Sequence, residues 1–162
     1  MSKKIAYGGI LLSVNIIILM IANIIPINTL FIFGIASLPI SIFIMKYGPL
    51  AGLTYYISLF ILSFIVISNK IHWIFYILTF GIYGLIKYLI EKDRHIIIEY
   101  LLKFLFCNIT MCVLWVITKG FIYININLIM IILFEVLFFI YDYMYSRFID
   151  YFTTKYIKLK NY

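Results

Sequence analysis

Long apolar runs separated by short polar punctuation make up almost the whole chain. Lys3 and Lys4 introduce a first run over residues 5–25, closed by Pro26, which cannot continue a helical hydrogen-bond ladder. A second run covers 28–45 with an interruption near Pro39, and a third starts in the segment KYGPLAG and covers 49–68. The fourth spans 71–90 and the fifth 96–118; the sixth, 122–145, starts between Phe121 and Leu128. Each run is near the roughly 20 apolar residues that a membrane-crossing helix needs. The pattern predicts an all-α integral membrane bundle of about six transmembrane helices in one domain, residues 1–145. A basic cytoplasmic tail, 146–162, follows. The first run has the basic start of a signal peptide, but no small-x-small cleavage site follows it, so it reads as a retained span.

Composition supports the same solvent. The 162 residues are 66% hydrophobic with a mean hydropathy of +1.15, and 12% are charged, against about 25% in soluble domains. That length leaves no room for a separate soluble domain beside six spans.

The cations give an orientation. Lys and Arg beside short loops are retained on the cytoplasmic side. With the N-terminus inside, that side collects eleven of the thirteen Lys and Arg, and only Lys70 and Lys119 fall outside. The pattern therefore predicts both termini inside, in a bacterial cytoplasmic membrane. Trp73 and Trp115 both fall at the outer interface, where amphipathic rings concentrate. The net charge of +7 is accounted for by topology and by attraction to anionic lipid of the bilayer, and implies no nucleic acid.

Candidate chemistry is sparse. Cys107 and Cys112 stand five apart on one predicted helix, on different faces, and with His72 and His95 they form no cluster of metal-ligand spacing. No GxSxG or HExxH occurs, no cofactor is implied, and the chain is expected not to be an enzyme. The densest charged stretch, IKYLIEKDRHIIIEYLLK at 86–103, reads as a cytoplasmic elbow between two helices. Lys87 with Glu91, and Glu99 with Lys103, have i,i+4 spacing, and Asp93 and Arg94 would form the tip of the turn.

Three groups of residues are candidates for function. Glu135 falls near the middle of the sixth run, where a carboxyl in hydrocarbon requires a partner. Lys103 is the expected one, forming an intramembrane pair, with a hydrogen bond from Asn108 to a protonated acid as the alternative. Gly9 with Ser13, and Gly48 with Gly52, have the small-xxx-small spacing that lets helix backbones approach closely, either within the protein or against a separate subunit. Amides and rings at the outer helix ends, chiefly Asn23, Trp73, Tyr76 and Trp115, are the residue types that a small-molecule pocket uses, and equally those of interfacial anchors.

The six-run chain, its basic N-terminus, the small pair Gly9 and Ser13 and the segment GPLAG (48–52) together resemble the substrate-binding S components of energy-coupling factor transporters. They also resemble a related group of small bacterial multi-pass membrane proteins, in which a segment similar to residues 69–92 recurs. The resemblance covers the first four runs best. It implies a solute-binding transport subunit that takes a vitamin-like solute from outside and docks a coupling membrane subunit driven by ATPases, with Gly9 and Ser13 in the docking role. The chain departs from the family in having no Ala-xxx-Ala there, and only residues 26–28 between the first two runs. A non-catalytic membrane scaffold is the alternative, and a pore-forming homo-oligomer ranks below both because the runs are too uniformly apolar to line water.

Overall fold

The computed structural model describes residues 2–25, 28–120 and 127–160, with side chains in the last helix described through Thr154. Among these residues the regular structure is entirely helical. The elements are α1 (Ser2–Ile24), α2 (Thr29–Ala36), α3 (Leu38–Tyr47), α4 (Pro49–Val66), α5 (Lys70–Tyr76), a π turn (Ile77–Gly81), α6 (Ile82–Glu91), α7 (Ile96–Lys119) and α8 (Leu128–Lys160). Six stretches are long and apolar enough to cross a membrane: Ser2–Ile24, Thr29–Tyr47, Pro49–Val66, Lys70–Glu91, Ile96–Lys119 and Leu128–Thr154. One falls on each of the six apolar runs.

The chain divides into two compact units, Met1–Leu89 and Ile90–Tyr162. Run lengths report which residues leave water, not which helices touch, so the division is invisible in the pattern.

In the first unit, local residues explain each break. Pro39 has no N–H to continue the ladder from α2, and the turn is closed at Ser37, whose hydroxyl donates to the Gly34 carbonyl at 2.6 Å. Gly48 turns the chain between α3 and α4 at φ 84°, a left-handed backbone that glycine adopts without strain, and Pro49 starts α4 with its preset φ. Lys70 ends the next turn by donating its ammonium to the Phe64 and Ile67 carbonyls at 2.6 and 3.1 Å, capping the C-terminus of α4. The widened π turn after Tyr76 is supported by Tyr56, whose hydroxyl donates to the Ile77 carbonyl at 3.3 Å.

The core of this unit packs Leu19, Phe33, Ile40, Phe43, Leu59 and Tyr76 between α1 and α5. Close helix contact comes from Gly8 and Gly52. A Cβ on Gly8 would sit 3.0 Å from the Phe43 ring, and one on Gly52 would collide with the Ile44 side chain.

In the second unit, His95 caps α7 by accepting from the Ile97 N–H at 3.4 Å, and the preceding turn carries Asp93 at φ 53°. Phe106 with Phe138, and Tyr100 with Phe139, are ring contacts between α7 and α8. The expected start of the sixth span within 122–127 lies almost wholly outside the described residues, as do Pro26 and Ile27 of the short connection. α8 runs without a break through residue 146, where the tail is expected to begin, to Lys160. Residues 128–160 contain no Gly or Pro, and Ser146, Thr153 and Thr154 turn their hydroxyls back onto the carbonyls four residues earlier. Nothing therefore stops the helix at the end of the apolar run.

Candidate functional site

Residues 1–89 contain five lysines and no carboxylate, and the buried polar side chains of the first unit include Asn15, Ser37, Ser41, Ser63, Thr79 and Lys87. Asn15, wholly buried in α1, donates from Nδ2 to the Tyr55 hydroxyl oxygen of α4 at 3.4 Å. Tyr76, wholly buried at the end of α5, donates to Asn15 Oδ1 at 3.1 Å, with the Ala36 carbonyl of α2 also in reach at 3.3 Å. One amide thus joins four elements through groups that satisfy one another, which fixes the relative register of helices whose apolar contacts are non-directional. Asn15 was not singled out from the sequence. Its signal is position: an amide in the middle of an apolar run has to find a partner.

The second unit holds all six Asp and Glu of the chain. Lys103, buried in α7, places its ammonium 2.5 Å from Glu91 Oε1 and 2.9 Å from Asp142 Oδ2. Asp142 is itself buried, on α8, while the Glu91 side chain is about one-third exposed (32%). The expected Lys103–Glu135 pair is therefore corrected. Glu135 instead accepts from Asn108 Nδ2 at 3.3 Å, the arrangement weighed as the alternative. On α7, Asn108 is five residues from Lys103, about 7.5 Å along the axis, which puts Glu135 at a different level from the ammonium. Asp142, seven residues after Glu135 and so on the same side of α8, offers its carboxylate at the Lys103 level. The i,i+7 spacing of the two acids was the available signal for Asp142. The expected Glu99–Lys103 contact gives way to the same pair, since Lys103 turns to Glu91 and Asp142.

Of the residues proposed for the outer pocket, Asn23, Trp73 and Tyr76 each have a hydrogen-bond partner within the first unit. Asn23 donates to the Val66 carbonyl at 2.6 Å and accepts from the Ser68 N–H at 3.3 Å, locking the end of α4. Trp73 donates from Nε1 to the Ser63 hydroxyl at 3.1 Å between the Phe60 and Phe64 rings. Tyr76 lies in the core against Phe33, not at a mouth. Trp115 belongs to the second unit and is exposed, with the Lys119 ammonium 5.0 Å above its ring. Of the small residues, Gly48 serves the α3–α4 turn and Gly52 the close approach to α3. Gly9 and Ser13 are exposed: nothing lies within 4 Å of where a Gly9 Cβ would be, and the Ser13 hydroxyl donates to the Gly9 carbonyl at 2.9 Å.

Among the described residues, no cluster of His, Cys, Asp and Glu could hold a metal ion. Cys107 is buried and Cys112 exposed, as different faces of α7 require. A shallow groove of about 500 Å³ runs along α8 beside Glu135. No protein-family model, curated protein or solved structure matches the chain.

Proposed function

We propose that this chain is a non-catalytic multispanning subunit of the bacterial cytoplasmic membrane, with both termini inside, that works by docking a separate membrane protein along α1. The observation that carries the reading is the contrast between adjacent glycines. Gly8 is filled by Phe43 from within, whereas Gly9 opens onto empty space with Ser13 one turn away. Small residues facing outward on an apolar helix leave room for another helix backbone, and the Ser13 hydroxyl is already bonded to its own helix, so the face carries no unmet polar cost in lipid. Orientation rests on the asymmetry of Lys and Arg.

In its first form the docked partner is a coupling subunit with ATPases, and the chain is a solute-binding subunit like the S components. The scaffold form is favoured by a different observation: Asn23, Trp73 and Tyr76 have hydrogen-bond partners within the first unit. Purification from native membranes tests both. A co-purifying ATPase-coupled membrane subunit together with a small solute supports the first form. An unrelated membrane protein without solute supports the second. Unchanged capture of any partner after Gly9→Leu removes α1 docking from either.

A further inference from the structure

α8 is longer than its neighbour in the second unit needs. Lys103 and Asn108 of α7 bond to Asp142 and Glu135 of α8, so residue numbers rise along one helix as they fall along the other and the two run antiparallel. Both rise equally per residue. Ile96, which starts α7 seven residues before Lys103, therefore lies level with Ile149, seven residues after Asp142. α8 goes on for eleven residues past that level, about 16 Å of helix without α7 beside it. Its 33 residues make about 50 Å in all. At the usual tilt of about 20°, that covers the roughly 40–45 Å of a whole bilayer with its headgroups, not only the hydrocarbon of about 30 Å.

The chemistry changes along the overhang. Residues 147–160 hold Arg147, Lys155, Lys158 and Lys160 against one acid, Asp150. Spacing of i, i+4, i+8 and i+11 lines Arg147, Tyr151, Lys155 and Lys158 along one face of the helix. Phe148, Phe152 and Tyr156 follow the same spacing along another, and the Phe148 and Phe152 rings are in contact at 4.9 Å. Cations on one face and rings on the next are the residues of a membrane interface.

Arg147 marks the level. Its Nε and Nη2 both donate to the Tyr143 hydroxyl, at 3.0 and 2.9 Å, so the guanidinium is turned one turn back along α8, toward the apolar run. The phenol takes two of five donors and supplies no charge. Among the described residues, Arg147 has no carboxylate within ion-pair distance. The first unit supplies none however it lies, because residues 1–89 contain no carboxylate. In the second unit, Glu91 and Asp142 are held by Lys103.

We propose that the end of α8, residues 147–160, binds anionic phospholipid of the inner leaflet, with the face of Arg147, Lys155 and Lys158 on the headgroup phosphates. A guanidinium fork matches a phosphate, and lysines beside it add attraction to the negative surface. The depth selects this occupant. A soluble acidic partner would meet the last turns of the helix, whereas Arg147 is turned back toward the apolar run and the rings continue that run into the headgroup layer. The inference rests on α7 and α8 crossing the bilayer with the C-terminus inside, and uses a surface separate from α1.

Lipid-borne quenching tests it on the full chain, reconstituted in phosphatidylcholine vesicles containing one-third phosphatidylglycerol in both leaflets. A fluorophore is placed at Thr154→Cys in a background of Cys107→Ala and Cys112→Ala. A nitroxide near the headgroup is carried either by phosphatidylglycerol or, at the same mole fraction, by phosphatidylcholine. Quenching at Thr154→Cys should be at least twofold stronger from labelled phosphatidylglycerol. The preference should disappear when Arg147, Lys155 and Lys158 are all changed to Gln. A fluorophore at Leu128→Cys, the opposite end of α8, should show no preference. Equal quenching by the two lipids at Thr154→Cys, a preference that survives the triple change, or an equal preference at Leu128→Cys would each overturn the proposal alone. Loss of the chain from the vesicles on alkaline-carbonate washing would instead overturn the membrane reading, and the proposal with it.

Discussion

Lys103 Nζ lies 2.9 Å from Asp142 Oδ2, and both side chains are buried, which makes this the central ionic contact of the second unit. Removing one partner of a buried pair leaves the other charge in a medium that solvates it poorly. Asp142→Asn should therefore lower the stability of this unit by about 3 kcal/mol. Glu91→Gln, at the partly exposed contact, should cost no more than about 1 kcal/mol. Equilibrium unfolding in mild detergent, followed by Trp115 fluorescence with Trp73→Phe, reads both. A larger loss for Glu91→Gln than for Asp142→Asn would refute the assignment of the buried partner.

The Asn15 network orders its own substitutions. Tyr76→Phe leaves Asn15 Oδ1 buried without its donor and should cost about 1–3 kcal/mol. Tyr55→Phe removes the longer contact at 3.4 Å and should cost less, about 0.5–1 kcal/mol. Thermal unfolding of the two variants side by side measures the order; equal losses would show that Asn15 does not discriminate between its partners.

The glycines separate packing from docking. Gly52→Ala drives a methyl into Ile44 and should destabilise by about 1–3 kcal/mol. Gly9→Ala meets open space and should leave stability within about 1 kcal/mol of the parent. A Gly9→Ala variant as unstable as Gly52→Ala would mean that this face of α1 is packed.

Asn23→Ala removes both the donor to the Val66 carbonyl and the acceptor for the Ser68 N–H. A loss of about 1–2 kcal/mol and faster hydrogen exchange at the Ser68 amide are expected, since both groups lose their bond together. Unchanged exchange there would return Asn23 to the pocket hypothesis.

The sequence by itself determined which stretches are long and apolar enough to cross a membrane. Length and apolarity of the runs placed six helices, and residues without an N–H or with freedom at positive φ, Pro39, Gly48 and Pro49, marked where helices break. Those are local properties, set within one or two turns. It also marked Glu135 as requiring a partner and kept Asn108 among the candidates. Only the tertiary structure decided the pairings. Lys103 could reach either acid on α8 until the relative level of α7 and α8 was known, and the chain then paired it with Asp142. Tyr76 turned from a pocket residue into a core residue for the same reason: its partners Asn15 and Ala36 are 61 and 40 residues away in the chain. Hydrophobicity specifies burial but carries no direction, so the choice among partners of like chemistry is made by helix register and contact, which no single run contains.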